Sequence, residues 1–137
     1  MKVCISEISY KFNQYNREYF GGILPRPSFE LMDSFNTFGL FECDFYGDEV
    51  DNPVIKISQN YDFTSEQVRD ILVHEMLHYY LAYTGQDTRV RHGRAFLREA
   101  KRLNDTYGMN ISSKINKDEY SATEESSSIR RFFSKLF

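Results

Sequence analysis

The polar and apolar positions of this chain change period several times. Between residues 6 and 20, Ile8, Phe12, Tyr15 and Tyr19 recur at steps of four, three and four, which predicts an amphipathic helix. Ser6 can cap its start, and Gly21-Gly22 stops its end. Leu24-Pro25-Arg26-Pro27 reads as a rigid extended turn. Three strand candidates follow, at 28–33, 37–45 and 53–58, with an acidic turn from Gly47 to Pro53. Gly39, inside the second strand, marks a bulge or a close backbone approach.

A second helix is predicted from Thr64 to Tyr83. Thr64 and Gln67 have capping-box spacing, Glu66 sits in the first turn, and Gly85 follows the last turn. Val68, Ile71, Leu72, Val73, Met76, Leu77, Tyr80 and Leu81 cover most of its circumference, as in a helix buried on every side. A third helix, 92–106, is two-sided. His92, Phe96, Ala100 and Leu103 mark one side, and Arg91, Arg94, Arg98, Lys101 and Arg102 the other. The order of helix, small sheet, buried helix and helix predicts an α+β fold, with a small, mostly antiparallel sheet packed on the buried helix and flanking helices.

Composition is globular, and 137 residues suffice for one compact domain with its own core. We expect a folded domain over 1–110 and a polar linker with a basic-aromatic tail over 111–137. The tail, Ile129 to Phe137, suits either a terminal helix or a short linear motif. Its Ile-x-x-Phe-Phe core is similar to sliding-clamp-binding peptides, without their leading Gln. The apolar runs are too short for a membrane span, and the N-terminus lacks a secretory pattern. Cys4 and Cys43 have no metal-ligand spacing and read as free thiols, so a cytoplasmic monomer is expected. The net charge of −3 argues against a nucleic-acid surface over the whole chain, but the basic stripe on the third helix offers a local DNA contact.

The candidate chemistry uses all three histidines of the chain. His74-Glu75-Met76-Leu77-His78 lies inside the buried helix, and His92 follows fourteen residues later. Positions i and i+4 share a helix face, so His74 and His78 can converge on one zinc ion. Glu75 projects about a quarter turn away, where a carboxylate can take a proton from an activated water and return it to a leaving group. His92 is the candidate third ligand, with Glu99 one turn further along as its rival. Alternatively, His92 only begins the third helix in solvent. Burying two imidazoles and a carboxylate without partners would be costly, which favours a metal centre.

Three motifs in order are similar to those of the SprT-like metallopeptidases, the zincin family that includes Spartan. They are Phe12 to Pro25 with its Phe-Gly-Gly-x-Leu-Pro turn, His74-Glu75-x-x-His78, and His92-Gly93-x-x-Phe96. The resemblance covers residues 8–103. It implies a zincin-like fold, zinc held by His74, His78 and His92, and Glu75 as the general base of a zinc-dependent endopeptidase. It also implies a protein or peptide substrate, associated with DNA in the best-known members. No cysteine follows Cys43, so the cysteine-rich ribbon of many members is missing. The other reading is a zinc-stabilised, non-catalytic binding module recruited to DNA or a clamp through its tail.

Overall fold

The computed structural model describes residues 2–112 and 121–122. Three helices, α1 (Ile5–Tyr19), α2 (Ser65–Tyr83) and α3 (Arg94–Tyr107), enclose a small mixed sheet of β1 (Ser28–Met32), β2 (Gly39–Tyr46) and β3 (Glu49–Ser58). A short ladder joins β4 (Tyr61–Asp62) to β5 (Ser121–Ala122). The α+β plan is present. The Ile129–Phe137 motif lies outside the described residues.

The sheet differs from expectation in one pairing. Its order is β1-β3-β2. β3 pairs antiparallel with β2 along the longer ladder and parallel with β1, so the sheet is mixed. Side-chain pattern marks a strand but says little about the direction of its neighbour, so the single parallel pairing was not legible. β3 also starts earlier than its apolar run. Tyr46 faces Glu49 across a two-residue hairpin of Gly47 and Asp48, with Gly47 at φ +63°. The ladder register then shifts between Glu42 and Asp44 of β2. The extra residue falls on β3, where Asn52 adopts φ +50° before Pro53 and donates a side-chain hydrogen bond to Asp44. The acidic stretch read as a turn is therefore a hairpin, a short strand segment and a bulge.

Helix ends show which local signals prevail. The α1 N-cap is Cys4, with no side-chain capping hydrogen bond, and Ser6 lies inside the helix. Past its end, buried Asn16 donates to the Leu24 carbonyl at 2.9 Å and accepts from the Leu24 amide at 3.2 Å, pinning the glycine turn. α2 follows its sequence signals closely. Thr64 and Gln67 form the reciprocal capping box. At the other end the Gln86 amide donates to Leu81 and the Gly85 amide to Ala82, with Gly85 at φ +71°.

α2 is the centre of the molecule. It packs against α1, α3, β2 and β3. Val68, Leu72, Val73, Met76 and Leu77 are almost wholly enclosed. Burying five such side chains contributes on the order of 10 kcal/mol, before the cost of ordering them. The two histidines therefore stand on an element that the core fixes on all sides. Among the described residues no helix is long and apolar enough to cross a membrane, and both cysteines are free.

Candidate metal centre

His74 and His78 lie one turn apart on α2, and their Nε2 atoms are 3.3 Å apart. His92 reaches them from the turn before α3, its Nε2 atom 3.2 Å from that of His74. Two nitrogens bound to one zinc ion at a tetrahedral angle would stand about 3.3–3.4 Å apart. Two of the three nitrogen pairs thus have the spacing of a shared ion, and with all donor atoms within 4.8 Å of one another the three histidines are positioned to hold one. Burial pushes His74 and His78 down to about 3, helped by neighbouring histidine charge and by Arg91, and it lowers His92 in the same way. All three rings are therefore neutral at physiological pH, the form that offers a lone pair to a metal.

His92 does not open a helix. Gly93 is the N-cap of α3, and its amide donates to the Val90 carbonyl in a tight turn. Glycine is a poor helix residue, so the helix begins one step later, at Arg94. His92 nonetheless points inward, because its ring packs edge-on against Phe96. Glu99, the rival ligand, lies away from the cluster and engages Arg98 and Arg102.

Phe96 touches all three histidines. Its ring centroid lies 4.9 Å from His74, 4.7 Å from His78 and 4.7 Å from His92, and it stacks nearly parallel on His78. In the sequence Phe96 belonged to an apolar stripe and closed the His-Gly-x-x-Phe motif. In the structure it is the floor on which the three imidazoles rest.

Glu75 is only 4% exposed, and its Oε1 atom has no hydrogen-bond partner among the described residues. Burial holds its carboxyl up at about 8, opposed by the charge of Arg91. A buried, unsatisfied carboxyl this close to three convergent imidazoles fits a site that takes a cation. Gly39 makes room for it. A Cβ there would stand 2.9 Å from Glu75 Oε2 and 2.9 Å from Ile71 Cγ2. The close backbone approach expected at Gly39 is thus an approach to Glu75, which the sequence did not identify. Gly39→Ala is expected to push Glu75 off its position, costing about 1–3 kcal/mol of stability in urea unfolding. Metal content should stay unchanged; a variant as stable as the wild type would show that Ala fits.

An open cleft of about 360 Å³ lies beside His78. It runs between β2 (Phe41, Cys43, Phe45), the end of α2 (Leu81, Ala82) and the α2–α3 loop, including Val90 and Arg91. β2 is an outer strand of the sheet among the described residues. The basic stripe is more divided than the helical wheel implied. Lys101 pairs with Asp105, Arg98 and Arg102 with Glu99, while Arg94 is exposed and Arg91 borders the cleft.

The SprT-like family model matches residues 8–117, most of the chain and every element that builds the site. The chain belongs to the SprT-like family. No curated protein gives a match. Family membership and geometry meet on the same residues: this SprT-like chain has a three-histidine cluster positioned for a metal ion, a buried glutamate and an adjoining cleft.

Proposed function

We propose that this SprT-like protein is a zinc-dependent endopeptidase, with His74, His78 and His92 as zinc ligands and Glu75 as general base. The observation that carries the reading is the convergence of three neutral imidazoles beside a buried carboxyl with an orphaned oxygen. A purely structural site would have no use for that carboxyl. When bound, the ion supplies positive charge that activates water, polarises a carbonyl and favours the carboxylate form of Glu75.

The protein's own residues do the rest. Glu75 takes a proton from the attacking water and delivers it to the leaving amine nitrogen as the C–N bond breaks. Gly39, lacking a Cβ, leaves the space that the Glu75 carboxyl occupies. Phe96 fixes the three imidazole planes. The outer edge of β2 offers main-chain groups to an extended polypeptide, which suits an unfolded protein segment as substrate. A DNA-associated substrate is a finer proposal, supported by the exposed Arg94 and by the paired but solvent-facing Arg98, Lys101 and Arg102.

The test is metal analysis combined with cleavage of an unfolded protein, with and without single- or double-stranded DNA. One zinc per chain is expected. Chelation should abolish cleavage and zinc should restore it. DNA stimulation at low salt that fades at high salt would support the arginine face. A zinc-loaded protein that cleaves nothing would favour the binding-module reading.

A further inference from the structure

The cleft beside His78 has one positive charge that forms no ion pair among the described residues. Eleven residues line it, and Arg91 is the only cation among them. Its two acids are engaged elsewhere. Glu42 pairs with Lys56 at 3.2 Å, and Asp87 is gripped by the guanidinium of Arg89 at 2.8 and 3.0 Å. Arg91 itself makes no hydrogen bond or ion pair among the described residues. A free guanidinium at the wall of a reactive cleft is a ready acceptor site for negative charge.

Its position is fixed by its neighbours. Arg91 directly precedes His92, and the Gly93-to-Val90 hydrogen bond closes the turn that contains it. Its charge acts on Glu75 and on each of the three histidines. It lines the same cleft as His78 and sits next to His92, on the side of the three imidazoles. Peptide hydrolysis places negative charge on the scissile carbonyl oxygen, and sites that accelerate it aim a donor at that oxygen. Apart from His78, the proposed zinc ligand, the other side-chain donors lining the cleft are the Thr88 hydroxyl and the Cys43 thiol, both weaker partners for an anion than a guanidinium.

We propose that Arg91 stabilises the negative charge that develops on the scissile carbonyl oxygen, as a catalytic residue contributed by the α2–α3 loop. This rests on the endopeptidase reading above. Arg91 was assigned by sequence to a DNA-facing stripe, and this inference gives it a different task from Arg94, Arg98, Lys101 and Arg102.

The experiment compares zinc-loaded wild type, Arg91→Ala and Arg91→Lys on an unfolded protein substrate. It also measures the affinity of a phosphinic peptide, whose tetrahedral anionic group mimics the charged intermediate. Arg91→Ala should lower kcat about 100-fold with KM nearly unchanged and zinc content intact. It should weaken the phosphinic peptide by a similar factor, and Arg91→Lys should recover part of both. A raised KM with unchanged kcat would overturn the proposal and make Arg91 a docking group for a substrate anion. Equal turnover in wild type and Arg91→Ala would also overturn it, leaving the endopeptidase reading standing. A zinc-loaded wild type without turnover would remove that reading and this inference together.

Discussion

Glu75→Gln is expected to abolish cleavage while leaving metal content unchanged. Glutamine has the shape of the protonated glutamic acid, so it fits the space bounded by Gly39 and Ile71. It cannot accept a proton. General-base catalysis contributes about 10²–10⁴-fold, so turnover should fall by at least that much. His74, His78 and His92 are untouched, and zinc should remain at one per chain. Equal cleavage by wild type and variant would remove Glu75 from the mechanism.

The metal-free protein offers a separate readout. The Glu75 carboxyl is held at about 8 by burial, above its ordinary value of 4.5. A carboxyl raised in the folded state keeps its full stability below the unfolded pKa and loses it as pH rises towards the folded pKa. The wild type should therefore lose stability relative to Glu75→Gln between about pH 5 and pH 8. Comparing the two proteins at each pH cancels the opposite contribution of the histidines, which lose stability as pH falls below 6.5. A constant difference in melting temperature across that window would mean that Glu75 is not held in its neutral form.

Phe96→Ala carries the second large effect. The Phe96 side chain is 1% exposed and packs against all three imidazoles. Removing it costs about 3–5 kcal/mol of stability through lost burial and the cavity left behind. It also frees the ring orientations, so zinc affinity should fall about 10–100-fold, as when groups that orient metal ligands are removed. Phe96→Leu separates the two effects. It refills much of the volume, recovering most of the stability, but lacks the flat face that stacks on His78. Urea unfolding of the metal-free proteins and competition with a zinc chelator would measure both. Unchanged zinc affinity in a folded Phe96→Leu variant would reduce Phe96 to a core residue.

Most of the site was legible because its parts are local. A helix face places His74 and His78 together, and the capping box and Gly85 fix the ends of that helix. What could not be read depends on contacts between distant segments. The parallel β1–β3 pairing, Gly39 against Glu75, and Arg91 at the cleft wall each require the assembled fold. His92 is an instructive middle case. Its inward direction was inferred from a helix, 92–106, that it was expected to open. The direction holds because Phe96 holds the ring, and the helix begins at Arg94 because Gly93 separates them.

The split of the donors between α2 and the turn before α3 gives the site a mechanical role as well. His74 and His78 ride on one rigid helix, while His92 lies eighteen residues beyond His74. An ion shared by all three would tie the two helices together across the α2–α3 loop, as a covalent cross-link would. Closing a loop of that length by a disulfide stabilises by about 3 kcal/mol, chiefly by restricting the unfolded chain. A reversible tie of this kind makes the integrity of the cleft wall depend on metal supply. A metal-starved copy would present residues 85–91 to proteases as its most vulnerable segment.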